Sequence, residues 1–305
     1  MTRWPPPPRL TAVFYKAHGL GNDYLVFEEG TAEGGTWLAS PQAIQTVCDP
    51  HRGVGSDGIV VLLADRSGGV VRLRMFNPDG SEFERSGNGL RVVASYLVRE
   101  GLVQIGDDRA FEVEVGGGRV RMIAHDVTGA TYDVSVEMGR ARVGPAGVEL
   151  DPGALDRQGR LPGPSGALLH VVPVSVGNPH MVVLVDAPSP ELLAEIGPFL
   201  VAHPALAHGA NVQLARVAMP MVPDNACEAL IWERGVGPTS ASGTSACAVA
   251  VALVSQGRLR PGAVTVRMPG GTMTVTVSSD LDVVLRAPVE AVCTGALTEG
   301  MVGRL

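Results

Sequence analysis

The sequence predicts an α+β protein of two pseudo-symmetric lobes, each a mainly antiparallel β-sheet or barrel wrapped around a central helix. Three observations predict it: an internal repeat, two apolar helices at matched places in that repeat, and alternating segments on either side of each helix. Placed over one another without a gap, Met75–Val98 and Ile231–Val254 match Ser86 with Ser242, Gly87 with Gly243, Val93 with Val249, Ala94 with Ala250 and Leu97 with Leu253. Gly21-Asn22 and Gly177-Asn178 are separated by the same 156 residues. One such pair could arise by chance; two with one spacing indicate a duplication.

The elements follow in chain order. Val71-Arg-Leu-Arg-Met75 alternates and reads as a strand. Leu90, Val93, Ala94, Leu97 and Val98 then fall on one helical face. Val113-Glu-Val-Gly-Gly-Gly-Arg-Val120 carries a hairpin signal, and Tyr132-Asp-Val-Ser-Val136 is another strand. The Pro/Gly-rich stretch Asp151–Gly166 reads as a surface loop early in the second lobe. Met181–Val185 is again a strand. In the second helix Ala246, Val249, Ala250, Leu253 and Val254 share a face, and Cys247, Ala248 and Val251 make it apolar nearly all round, which predicts burial. A second hairpin signal spans Val264–Val275, with Thr272–Val277 as a strand. The expected lobes are residues 1–131 with 289–305, and residues 132–288.

Composition narrows the function. The net charge is −7 with no basic cluster, and aromatic residues make up 4%, so nucleic acid is a poor partner. The longest apolar stretch, Ala246–Val254, is too short to span a membrane. Met1–Leu10 holds four prolines and lacks the apolar core of a signal peptide. Cys48, Cys227, Cys247 and Cys293 form no C-x-x-C pair, so neither zinc nor a disulfide framework is expected. A cytoplasmic chain with reduced thiols fits these features.

Ser86-Gly87 and Ser242-Gly243 each sit just before a helix. A single serine there is a helix cap, worth about 1 kcal/mol. Two at matched positions of a duplicated chain suggest more. Pseudo-twofold lobes would bring equivalent helix starts together across a cleft, with two helix N-termini available to a carboxylate. That arrangement suits taking a proton from one face of a carbon and returning one on the other.

His18-Gly-Leu-Gly-Asn-Asp-Tyr24, Phe76-Asn-Pro-Asp-Gly-Ser-Glu82, Ser86-Gly-Asn-Gly89, Gly177-Asn-Pro-His180, Asn211-Val and Glu233-Arg-Gly-Val-Gly237 together resemble the diaminopimelate epimerase family in order and spacing, over about Phe14–Val254. The resemblance implies that family's fold and a cofactor-independent, metal-free epimerase interconverting LL- and meso-diaminopimelate in lysine and peptidoglycan precursor biosynthesis. In that family one cysteine thiolate takes the α-proton and a second cysteine donates from the opposite face. It further implies that Asn22, Asn77, Asn178, Asn211, Glu233 and Arg234 hold the substrate, especially its distal amino-acid end. Backbone amides at Gly87, Asn88, Gly243 and Thr244 would hold the carboxylate at the reacting carbon. A homodimer is implied as well.

The pattern breaks at its centre. By the resemblance, the two catalytic cysteine positions are Ser86 and Ser242 here, and Pro238 stands where a glutamate is usual. A hydroxyl is a weaker acid than a thiol by roughly five pKa units, or ~7 kcal/mol of driving force, of which the rate feels a part. Cys247, five residues past Ser242, is expected to pack as a small core residue rather than replace the thiol. Three readings stay open: an engineered double Cys→Ser epimerase, a natural branch acting on a related substrate, and an amino-acid-binding protein on the same fold.

Other signals are weaker. Gly53-Val-Gly-Ser-Asp-Gly58 spells a dinucleotide fingerprint, but a helix-like stretch precedes it and a strand follows, the reverse of what that site needs. No G-x-S-x-G elbow surrounds Ser86 or Ser242, which argues against a serine hydrolase. His203 and His208 lack the spacing of a zinc pair on a helix, and His180 reads as shaping a pocket.

Overall fold

Strand β1 (Arg9–Gly19) turns through Leu20 and Gly21, both at positive φ, into β2 (Asn22–Glu29), a two-residue hairpin turn of the kind that matches strand twist. The computed structural model describes residues 5–30, 35–65, 69–164, 166–218 and 225–305. The first four residues of the Met1–Leu10 stretch and one residue of the Asp151–Gly166 stretch therefore lie outside the described residues. The chain forms two compact units, Met1–Val136 with Pro288–Leu305, and Glu137–Ala287.

After β2 the first unit continues with β3 (Thr36–Leu38), α1 (Pro41–Cys48), β4 (Ile59–Leu62), β5 (Val71–Phe76), β6 (Glu82–Phe83), α2 (Gly87–Arg99), β7 (Phe111–Val115), β8 (Gly118–Thr128) and the start of β9 (Thr131–Arg140). The second unit holds the end of β9, β10 (Arg142–Val143), β11 (Arg160–Pro162), β12 (Leu168–Ser175), β13 (Pro179–Leu184), α3 (Pro190–Val201), β14 (Asn211–Val217), β15 (Ala226–Glu233), β16 (Gly237–Thr239), α4 (Gly243–Ser255), β17 (Gly262–Met268), β18 (Gly271–Val277) and the start of β19 (Asp282–Ala296). The rest of β19 returns to the first unit, followed by α5 (Glu299–Val302).

Strand pairing repeats from unit to unit. In the first, β1–β2 is antiparallel, β2–β4 parallel, β4–β5 antiparallel, β5–β7 parallel, and β7–β8–β9 antiparallel. The late part of β19 pairs with β1, and the Ala291 amide donates to the Ala130 carbonyl at 2.8 Å, which closes the ring of strands. In the second, β12–β13 is antiparallel, β13–β14 parallel, β14–β15 antiparallel, β15–β17 parallel, and β17–β18–β19 antiparallel. There β10 pairs with β12, and the Ala141 amide donates to the Leu281 carbonyl at 2.9 Å. Helices α2 and α4 begin and end at the same repeat positions, Gly87 and Gly243, Arg99 and Ser255.

Each sheet is covered on both faces over part of its width, while the late hairpins β7–β8 and β17–β18 leave one face partly exposed. Helix α2 packs on β1, β2, β4 and β8, and α4 on β12 to β15, β17 and β18. On the outer face of the first sheet, Ile44 and Val47 of α1 join Leu25, Phe27, Trp37, Ile59 and Val61 in a second core. The matching core in the second unit sets Leu193, Ile196 and Leu200 of α3 against Met181, Val183, Val212 and Leu214. Strands buried on both faces read as continuous apolar runs, which is why β4 (Ile59-Val-Val-Leu62) shows no alternation. The fold is the predicted α+β architecture of sheets around central helices. One expectation needs correction: Asp151–Gly166 is not plain loop, because Arg160–Pro162 pairs with Leu168–His170 and Pro152–Ala154 forms a 3-10 turn.

Candidate active site

In the first unit the tight approach of β1 and β2 to α2 gathers four of the five expected residues. Ser86 is the N-cap of α2; its Oγ accepts from the Gly89 amide at 3.1 Å and from the Tyr24 hydroxyl at 3.1 Å. The Gly87 and Asn88 amides belong to the first turn, where amides have no intrahelical partner, so they can serve an anion. Asn88 donates Nδ2 to Asn22 Oδ1 at 2.9 Å, and Asn22 donates Nδ2 to Asp57 Oδ2 at 3.0 Å. Arg91, fully buried, donates to Asn88 Oδ1 and to the Pro288 carbonyl. Gly19 leaves room for that guanidinium, since a Cβ there would stand 2.9 Å from Arg91. Gly58 does the same for the Tyr24 ring, 2.5 Å from a Cβ.

Burial raises the Asp57 pKa above its ordinary value against the opposing pull of its hydrogen bonds. Asn77 stands apart from this group: its Nδ2 bonds Ser81 Oγ at 2.9 Å within the turn between β5 and β6.

In the second unit Ser242 occupies the N-cap of α4 but makes no side-chain capping bond, and the residue is 6% exposed. Gly243 and Thr244 again supply first-turn amides. Asn178 Oδ1 accepts from His180 Nε2 at 2.9 Å, and Gln213 Nε2 lies 3.0 Å from both His180 Nδ1 and Ser245 Oγ. Full burial holds the His180 pKa down at about 3, so the ring is neutral. Asn211 Oδ1 accepts the Arg234 amide at 2.9 Å, and its Nδ2 reaches the Pro179 carbonyl at 3.4 Å. Arg234 turns its guanidinium to the carbonyls of His208 and Gly209. Glu233 closes β15 opposite Gly237, with Pro238 opposite Trp232. A pocket of about 380 Å³ in this unit is lined by Asn178, Arg234, Arg142, Ser175, Glu149 and His208 among others.

Cys247 is fully buried in α4 and packs as a core residue, at the repeat position of Arg91. Sequence reasoning missed Tyr24, Asp57, Arg91, Gln213 and Ser245. The repeat could have found Tyr24, which stands 156 residues before His180 and, like it, two residues past a motif asparagine. Among the described residues no group of three or more His, Cys, Asp or Glu side chains is placed to hold a metal ion.

Known proteins resemble this chain in sequence and in fold. The sequence profile of the family described as Diaminopimelate epimerase matches residues 14–144 and 172–292. A diaminopimelate epimerase of Desulforudis audaxviator is 39% identical over 285 residues, covering 92% of this chain and 98% of that protein. One from Geobacillus kaustophilus is 35% identical over 287 residues, covering 92% and 95%. Among solved structures, a hydroxyproline epimerase from Agrobacterium vitis with bound trans-4-OH-L-proline superposes with a TM-score of 0.62 at 17% identity, covering 99% of this chain and 96% of that one. A phenazine biosynthesis protein from Bacillus anthracis does so at 0.61 and 12%, covering 95% and 99%. The solved structures share the fold, and the sequence matches go further: this chain belongs to the diaminopimelate epimerase family.

Proposed function

We propose that the chain acts on diaminopimelate as a cofactor-independent amino-acid isomerase, with proton transfer at Cα slowed by serine at both reacting positions. Epimerisation needs one group to remove the α-proton and another to return one to the opposite face. The observation that carries this reading is the placement of Ser86 and Ser242 at identical repeat positions, each the N-cap of a helix buried in its sheet, in a member of this family. First-turn amides at Gly87, Asn88, Gly243 and Thr244 stabilise the carboxylate, and with it the negative charge that grows as the α-proton leaves. Asn22, Asn77, Asn178, Asn211, Glu233 and Arg234 recognise the remaining groups, amide to ammonium and carboxylate, arginine to carboxylate. The relatives named above are diaminopimelate epimerases, which supports this substrate. The reading carries with it a cytoplasmic homodimer in lysine biosynthesis. No helix among the described residues is long and apolar enough to cross a membrane.

A second reading, an amino-acid-binding protein or a divergent isomerase for another substrate, is favoured by one observation. Ser86 Oγ already accepts hydrogen bonds from the Gly89 amide and the Tyr24 hydroxyl, so it has a complete role as a helix cap that asks no chemistry of it. Calorimetry with LL-diaminopimelate and NMR of α-proton exchange in heavy water separate the two. Binding with slow exchange supports an attenuated epimerase. Binding with no exchange supports a binding protein, and exchange confined to another amino acid supports a divergent isomerase. Rapid exchange of diaminopimelate would refute the claim that serine slows the chemistry.

A further inference from the structure

The buried relay of the second unit has a polarity that its atoms determine. Gln213 is fully buried on β14, with Nε2 3.0 Å from His180 Nδ1 and 3.0 Å from Ser245 Oγ on α4. An amide nitrogen only donates, so His180 Nδ1 is an acceptor and the neutral ring carries its proton on Nε2. That proton points to Asn178 Oδ1 at 2.9 Å, which takes one of the oxygen's two lone pairs and fixes which way the carboxamide faces. Asn178 Nδ2, which makes no protein hydrogen bond among the described residues, is then its free donor for the pocket it lines. Gln213 Oε1 has no hydrogen-bond partner among the described residues. Inverting the amide would not remove the orphan; it would strand an NH₂ with two protons instead of one carbonyl.

The first unit shows that the fold does not require this relay. At the equivalent positions stand Tyr24, Val60 and Gly89, with Val60 opposite Val26 as Gln213 is opposite Val182. There the contact is apolar: a Cβ on Gly89 would meet Val60 Cγ2 at 3.4 Å. A polar, partly unsatisfied relay in one unit alone needs a reason beyond packing.

We propose that Gln213 is a positioning residue that, through His180, fixes the Asn178 carboxamide as a hydrogen-bond donor toward the second unit's pocket and makes that pocket select a carboxylate. Arg142 and Arg234 on the same lining set two positive charges against one carboxylate, Glu149, which lies 3.4 Å from His208 Nε2. The identification of that carboxylate with the distal end of diaminopimelate rests on the function proposed above.

The test joins ¹⁵N NMR of the His180 ring with calorimetry of diaminopimelate binding to the full chain and to Asn178→Ala, Asn178→Asp and Gln213→Leu. The proposal expects a single Nε2–H tautomer in the wild-type protein and its loss in Gln213→Leu, with binding weakened several-fold. It also expects Asn178→Asp to bind more weakly than Asn178→Ala, by about tenfold or more against wild type, because the aspartate puts only acceptors where donors were. A ring protonated on Nδ1, or Asn178→Asp binding as well as wild type, would overturn it. Should the wild-type chain bind no diaminopimelate, the substrate reading falls, and the tautomer still decides for or against Gln213.

Discussion

At the scale of single residues, environment separates groups that the repeat makes equivalent. His180 and Tyr24 occupy matching positions, yet one is a neutral imidazole in a buried relay and the other a phenol that donates to Ser86. The His180 pKa of about 3 lies below the 6.5 of an unfolded chain. As the pH drops below 6.5 the unfolded chain therefore takes up a proton that the folded chain refuses. The stability this group contributes is complete above 6.5 and is lost as the pH falls toward 3, on the order of 2 kcal/mol by about pH 5. His180→Asn should flatten that part of the pH dependence, read as the change in urea midpoint between about pH 7 and about pH 5. Tyr24 acts on the other half. A hydrogen bond to the charged form favours it, so in Ser86→Cys the thiol should ionise at a lower pH than in Ser86→Cys with Tyr24→Phe, by up to about one unit. Thiolate absorbance against pH measures it, and equal titrations would exclude the contact.

The elements tell a similar story of matched form and unmatched bonding. Helices α2 and α4 have the same length and start at the same repeat position, but only Ser86 caps its helix. Ser86→Ala should therefore cost about 1 kcal/mol of stability, and Ser242→Ala no more than a few tenths. Equal losses in denaturant unfolding would mean that Ser242 caps after all. The helices themselves were legible in the sequence, because Leu90, Val93, Ala94 and Leu97 recur at helical spacing and the residues from Ala246 to Val254 are apolar all round. The difference between the two caps was not legible, since both helices start with Ser-Gly and the bonding of each side chain shows only in the folded chain. Strand β11 was hidden for a simpler reason: Arg160-Leu-Pro162 is too short to show alternation and ends in proline.

For the whole molecule, duplication explains both what the sequence disclosed and what it hid. Repeat spacing marked Ser86, Ser242, Asn22 and Asn178, because a duplicated chain preserves positions. Gln213 and Ser245 escaped notice because their counterparts, Val60 and Gly89, are apolar contacts with no chemistry to match. Only folded proximity shows that the two polar residues meet. On the function proposed above, the frame is that of an epimerase, and its weakness lies in two oxygen atoms where sulfur would ionise more readily. The most direct measurement is the rate of α-proton exchange from LL-diaminopimelate in heavy water, followed by NMR, for the wild-type chain and for Ser86→Cys with Ser242→Cys. The account predicts slow or undetectable exchange with the serines and exchange at least about a hundredfold faster with both cysteines. A wild-type chain that exchanges rapidly, or a double variant as slow as the wild type, would contradict it.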